Sequence, residues 1–218
     1  MQQTNIPKEI QTNKLHYEWN KYVYLGRFCS YWHQIDEIDK LRPKSVLVIG
    51  IGDNIVVNIL KNMNYEVATL DIEDTLNPDY CGSILNLKEI LGEKQFDTIV
   101  CCQVLEHLPF SSFDKCIELM CAYSKSILLS LPYNALNLFD VSIRNSFIKE
   151  ISFNISIPKF WINFDIHKHG NNEHYWEIGC KKTSLRNIYA HINKYVPISK
   201  ALKAKENTYH YFFVLKKT

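Results

Sequence analysis

The sequence predicts an α/β fold, doubly wound around a mostly parallel sheet that ends in an antiparallel strand, and three observations carry this. Ser45 to Asn54, SVLVIGIGDN, reads as a buried strand running into a turn on Gly50 and Gly52, then into a helix with Ile55, Val56, Ile59 and Leu60 on one side. From there to Leu131 apolar, strand-like runs alternate with helix-like stretches, the pattern of parallel strands joined by helical crossovers. The last apolar run, Tyr209 to Lys216 (YHYFFVLK), is placed as an antiparallel partner at one edge of the sheet.

In chain order, residues 1–14 are polar. From Leu15 to about Leu41 apolar residues (Trp19, Tyr22, Val23, Phe28, Trp32, Ile35, Ile38) recur mostly at threes and fours, which predicts a helix that Pro43 stops. This aromatic extension is read as a helix packed on the sheet; the rival reading is a lid with Tyr24, Arg27 or Gln34 reaching inward. A second strand, Glu66 to Leu70, ends in Asp71. Asn77-Pro78-Asp79 makes a turn before a short strand from Tyr80 to Ile84, and Leu87 to Leu91 forms a brief helix closed by Gly92. Phe96 to Cys102 is too apolar to have a wet face and belongs at the sheet centre. A helix from Ser111 or Ser112 to Tyr123 and a strand from Ser126 to Leu131 follow. Between Pro132 and Gly179 the alternation stops, and so long an insertion is the natural place for a substrate cap. A helix capped by Thr183 runs to about Tyr195, stopped by Pro197. The chain thus divides, within one domain, into an extension (1–43), a ligand-binding half (44–132), an insertion (133–180) and a last helix with strands (181–218).

A chain of 218 residues suffices for one such domain with a full core. Its 46% hydrophobic and 22% charged residues are ordinary globular composition. A net charge of +2 with scattered lysines offers no concentrated basic stripe and counts against a nucleic-acid partner. The seven cysteines are odd in number, form no CxxC pair and lie partly in apolar runs, as expected of reduced, buried thiols in a cytoplasmic protein. The polar first twenty residues hold no apolar h-region, so a signal peptide is not expected, and no run reaches the roughly eighteen apolar residues of a membrane span.

The glycine turn carries the first chemistry. Gly50 allows the tight turn, Gly52 lets the backbone approach a ligand, and Asp71, twenty-one residues after Gly50, is placed to take both hydroxyls of a ribose. These residues alone do not separate a dinucleotide from S-adenosylmethionine. Phe96 to Pro109, FDTIVCCQVLEHLP, resembles the fourth-strand motif of class I S-adenosylmethionine-dependent methyltransferases, F-D-x-I/V-x-x-x-x-V-L-E-H-L/I. With SVLVIGIGDN, TLDIE and SILLSLPY, four motifs stand in the family's order over residues 45–133. The resemblance implies a Rossmann-like, three-layer domain with a seven-stranded sheet and an antiparallel last strand. It implies S-adenosylmethionine as cofactor and S-adenosylhomocysteine as product. It assigns Gly50 and Gly52 to the methionine end and Asp71 to the ribose, with Asp53 and Ile72 as further cofactor-binding residues. Ser83 stands where many relatives contact the adenine amino group, Ile84 lies beside the ring, and Gln103 faces the methionine portion or the substrate. The sequence departs from the family at Val48, where relatives usually carry an acid, at Asn54, where they carry a third glycine, and at Ser83, where many carry Asp.

An activated methyl mainly needs its acceptor aligned with it. A hydroxyl acceptor needs a base as well, and His107, His174 and the adjoining Glu106 are the candidates. His174, in EHYWEIG, loosely resembles a histidine-bearing segment that faces the active site in several relatives. His167 and His169 are read as exposed loop residues. Some relatives, including quinone O-methyltransferases and small-RNA 2′-O-methyltransferases, hold a divalent cation with Glu-x-x-Glu-His and later ligands. Here Gln103 replaces the first Glu, leaving Glu106, His107 and His174, and no metal is assigned. The expected function is methyl transfer to a small-molecule or glycan acceptor, O-directed, with the insertion choosing the acceptor. An RNA or protein methyltransferase and a non-catalytic cofactor-binding module are the alternatives. A nicotinamide-dependent oxidoreductase is disfavoured by Asn54 and VLEHLP.

Overall fold

A computed structural model describes residues 14–143, 151–162 and 174–217. The extension is built in pieces: a 3-10 turn (Lys14–Tyr17), one turn of helix α1 (Trp19–Tyr22) and the long α2 (Leu25–Leu41). The single helix predicted from Leu15 is broken because Val23 and Tyr24 take extended backbone. Trp19, Phe28 and Trp32 remain exposed, and the buried stripe of α2 is Ser30, Tyr31, Gln34, Glu37 and Ile38. Three of those five residues are polar, so apolar periodicity marked the helix and misplaced its inner face. Arg42 ends α2 in the left-handed conformation, and Pro43 follows.

The chain then alternates: β1 (Ser45–Ile49), α3 (Ile55–Asn62), β2 (Glu66–Asp71), β3 (Tyr80–Cys81), α4 (Leu87–Leu91), β4 (Phe96–Cys102), α5 (Phe113–Tyr123) and β5 (Ser124–Pro132). A hairpin of β6 (Ala135–Ile143) and β7 (Ile151–Pro158), α6 (Leu185–Asn193), β8 (Ile198–Lys203) and β9 (His210–Lys216) complete it. Seven strands form one sheet in the order β3-β2-β1-β4-β5-β9-β8, parallel except for β9. β4 is central, as its two-sided apolarity requires. Alternate strand residues feed two cores. Leu47, Ile49, Ile99, Leu129 and Phe213 pack with α4, α5 and α6. Val46, Val48, Val100, Leu128 and Phe212 pack with α2 and α3 on the other face. Each such side chain, taken fully from water, contributes about 1.5–3 kcal/mol.

Several boundaries differ from expectation for local reasons. β3 stops at Cys81 because Gly82 turns to positive φ, and Ser83 then caps a 3-10 turn (Ile84–Asn86) by accepting the Leu85 N–H at 3.3 Å. A 3-10 turn over Phe110–Ser112 precedes α5, and Ser112 makes no side-chain cap bond. α6 is capped by Ser184, which accepts the Asn187 N–H at 3.2 Å, while Thr183 donates its hydroxyl to the Glu177 carbonyl at 2.5 Å. β9 is not an edge strand. It lies between β5 and β8, and β8 (ISKALK) is the edge, polar enough to escape a search for apolar runs. Lysines on an edge also discourage pairing with another chain. Lys200 pairs at 2.6 Å with the buried Glu37 of α2, and Lys203 donates to Asn154 and Ser156 of β7, each at 2.9 Å.

The insertion supplies β6 and β7 as a separate two-stranded ribbon. His167 and His169 lie outside the described residues. All seven cysteines are free thiols. Among the described residues no helix is long and apolar enough to cross a membrane.

The turn after β1 sets the tightest steric demand. Gly50 has φ +78°, and a Cβ there would lie 2.3 Å from Val104 Cγ2. Gly92 has φ +58° with nothing near its missing Cβ. Gly92→Ala should therefore show backbone strain alone, about 1 kcal/mol, whereas Gly50→Ala should lose about 2–4 kcal/mol and melt roughly 5–15 °C lower. Thermal denaturation of the two variants side by side checks the ordering.

Candidate active site

The carboxyl ends of β1, β2 and β4 border a cavity of about 570 Å³. Gly50, Gly52, Asp71, Ile72, Ser83, Ile84, Gln103 and His107 all line it, with Tyr17, Tyr22 and Tyr175. Asp71 is fixed from both sides: Oδ2 accepts the Ile51 N–H at 2.8 Å and Oδ1 the Glu73 N–H at 3.0 Å. Each oxygen keeps a lone pair for a ligand. Gln103 takes a positive φ of 56°, and its Nε2 donates to Ser130 Oγ at 2.9 Å. Asn54, at the family's third-glycine position, has φ 64°, a conformation that asparagine tolerates better than most residues.

Asp53 is placed differently from the other cofactor candidates. It lines a smaller cavity of about 50 Å³ beneath α2, and both its oxygens are engaged. Oδ1 accepts the Ile55 N–H at 3.1 Å at the start of α3, and Oδ2 accepts the Tyr31 hydroxyl at 2.5 Å. Its evident work is to hold α2 and α3 against the glycine turn.

The three catalytic candidates, though far apart in sequence, come together. Leu105–His107 forms a 3-10 turn after β4. The Tyr175 N–H donates to the Glu106 carbonyl at 2.7 Å and Trp176 Nε1 to the Leu108 carbonyl at 3.0 Å, fastening the His174 segment to that turn. Ligand atoms of Glu106, His107 and His174 lie within 4.8 Å of one another, and the two imidazoles meet edge to face with centroids 4.9 Å apart. Glu106 is fully buried and neither carboxylate oxygen has a hydrogen-bond partner. Burial pushes its pKa up to about 7, against the opposing pull of His174.

Sequence reasoning missed the residues that orient His174. Its Nδ1 lies 2.8 Å from Oε1 of the buried Glu177. Glu177 also accepts the Tyr209 hydroxyl, and its Oε2 accepts from Asn134 Nδ2 at 2.7 Å. A carboxylate three residues from a histidine in EHYWEIG was the available signal for Glu177; Asn134 and Tyr209 come from distant strand ends and had none.

No family model matches this sequence, and no curated protein does. Solved structures match it over most of its length. A S-adenosylmethionine-dependent methyltransferase from Clostridium acetobutylicum ATCC 824 is similar at 11% identity and TM-score 0.55, covering 93% of this chain and 95% of that one. Magnesium protoporphyrin IX methyltransferase from Synechocystis PCC 6803, solved with bound S-adenosylhomocysteine, is similar at 12% identity and TM-score 0.58, covering 89% and 84%. The small RNA methyltransferase HEN1 is similar at 13% identity and TM-score 0.55, covering 86% of this chain and 25% of that one. The fold is that of class I S-adenosylmethionine-dependent methyltransferases.

Within this methyltransferase fold the Glu106 cluster can act in two ways. A histidine whose Nδ1–H is held by a carboxylate presents its other nitrogen as a proton acceptor or a metal ligand. A buried carboxylate without a donor is costly when ionised and needs a proton or a cation. In the metal-free protein the linkage is readable. Below pH 4.5, its ordinary value, Glu106 is protonated in both folded and unfolded chains; as pH rises through about 7 the fold resists ionisation and the stabilisation is lost. Between pH 4.5 and 8, with chelator present, the stability difference between wild type and Glu106→Gln should shift in favour of the variant by on the order of 3 kcal/mol. Urea unfolding of both proteins across that range checks it.

Proposed function

We propose that this protein transfers a methyl group from S-adenosylmethionine to a hydroxyl of a small-molecule or glycan acceptor. The observation that carries the reading is a single cavity joining the glycine turn and Asp71 to His107 and Tyr175, at the edge of the Glu106–His107–His174 cluster. When bound, the cofactor supplies a methyl already activated by its sulfonium. Asp71, with both oxygens oriented by backbone N–H groups, accepts the ribose hydroxyls. Ser83 and Ile84 border the adenine, and the bare backbone at Gly50 and Gly52 admits the methionine part. His174, its Nδ1 held by Glu177, takes the acceptor proton on the other ring nitrogen, and His107 packs edge-on against it. The scattered lysines and small net charge favour an uncharged or modest-sized acceptor over a nucleic acid. The aromatic walls at Tyr17, Tyr22 and Tyr175 suit a ring, whether phenolic or sugar.

A second reading of the same cluster is favoured by the orphaned Glu106 carboxylate. Glu106, His107 and His174 fit a divalent cation that accepts mixed imidazole and carboxylate ligands. Such an ion would neutralise Glu106 and lower the pKa of an acceptor hydroxyl beside it.

Ligand at about 100 times its dissociation constant adds roughly 2.7 kcal/mol, so S-adenosylhomocysteine should raise the melting temperature by about 5–10 °C. NAD should not, and Asp71→Ala should abolish the shift. Absence of any shift with either sulfur compound would remove the cofactor from the reading. Once a panel of phenols and sugars yields an acceptor, His174→Ala should lower kcat by roughly 10²–10⁴-fold while leaving the thermal shift intact. For the second reading, calorimetric titration of the chelated protein with zinc or manganese should show one site that Glu106→Gln removes; heat without such a site leaves His174 as a simple base.

A further inference from the structure

We infer that Arg27, carried by the N-terminal extension, binds the carboxylate at the methionine end of the cofactor, in the small cavity beneath α2. The inference rests on the cofactor reading above and assigns a residue to the one end of that ligand the glycine turn leaves open.

The small cavity is an annex of the large one. Tyr22, Gly50, Gly52 and Gln103 line both. Asp71, Ser83 and Ile84 line only the large cavity; Arg27, Gln34 and His210 line only the small one. A ligand with its ribose at Asp71 and its base at Ser83 therefore reaches across the turn toward Arg27. Its volume, about 50 Å³, exceeds one water and admits a carboxylate, but no nucleoside.

The lining of the annex asks for an anion. The Arg27 guanidinium lies 3.9 Å over the Tyr22 ring, and its Nε is buried without a hydrogen-bond partner. Among the described residues it makes no ion pair. The acid that shares the cavity, Asp53, is already held by Tyr31 and the Ile55 N–H. His210 is 1% exposed and neither of its ring nitrogens has a partner. Burial and the nearby Arg27 charge hold it neutral, with a pKa lowered to about 3, so it brings a donor to the annex without a second charge. A guanidinium whose Nε is shut off from water, beside a neutral donor and with the local acid engaged elsewhere, is matched by a carboxylate, which Arg takes bidentately. Of the groups on S-adenosylmethionine, only the α-carboxylate is anionic.

The geometry also bears on both readings of the extension. The Tyr31–Asp53 bond and the bond from Asn207 Nδ2 to Ser30 Oγ at 3.1 Å fix α2 over the turn. The extension packs on the sheet and, from that position, reaches into the site.

Isothermal titration of the full chain with S-adenosylmethionine, its decarboxylated analogue and 5′-methylthioadenosine tests this. Wild type should bind S-adenosylmethionine roughly 10- to 100-fold more tightly than the decarboxylated analogue. Arg27→Ala should erase that preference while leaving affinity for the decarboxylated analogue and for methylthioadenosine within about twofold. Arg27→Lys should keep part of it. Equal affinities for the two sulfonium ligands in wild type overturn the inference even if Arg27→Ala does not fold. So does a preference that survives in Arg27→Ala; the annex would then hold water only. Failure of wild type to bind any of the three is a different result and would strike the cofactor reading itself.

Discussion

The hydrogen bond from the Ile51 N–H to the Asp71 carboxylate ties the ends of two parallel strands across the mouth of the sheet. β1 must leave the sheet sharply to start α3 on the far face, and it does so through positive φ at Gly50, Gly52 and Asn54. That path is admissible only because Gly50 has no Cβ to meet Val104 and because an acid at the end of β2 receives the freed N–H. The same acid then faces the cavity. One carboxylate thus satisfies the turn and keeps lone pairs that a ligand in the cavity could use.

Around this mouth the charges are arranged by how well they are matched. Asp71 and Asp53 each have both oxygens engaged by a backbone or tyrosine donor; Glu177 is held by Tyr209, Asn134 and His174. Glu106 and Arg27 are left with buried, unpartnered polar atoms, one at the His107 end of the large cavity and one in the annex. Burying a group while leaving it unmatched costs stability. Proteins retain such groups where a ligand completes them, and both lie where the methyl-transfer reading puts ligand atoms.

The sheet was legible because β1, β4 and β5 are apolar on both faces, and buried parallel strands leave little ambiguity. The turn after β1 was legible because its demands fall on backbone: positive φ at Gly50 and Gly52 and an acid at Asp71 to receive the Ile51 N–H follow from the turn itself. What escaped was made of polar or mixed sequence. β8 hides its strand under lysines, and α2 turns Gln34 and Glu37 inward, against the rule that polar residues face out. Glu177, Asn134 and Tyr209 are brought together by the bridge of Tyr133 to Ile178 and by the end of the β5–β9 pairing, contacts with no local sequence signature. The Tyr31 bond to Asp53 escaped for the same reason, since the two residues stand twenty-two positions apart.

The edge strand β8 carries a consequence for the placement of the appended segments. Through Lys200 it grips Glu37 of the extension, and through Lys203 it grips Asn154 and Ser156 of the ribbon. The two appended parts of the chain are thus indexed to one short strand rather than to each other. The central strands end at the floor of the cavity; the rim strand anchors the appended parts. The cavity floor and the anchoring of the appended parts therefore have separate structural origins, and one can be altered by sequence while the other is left in place.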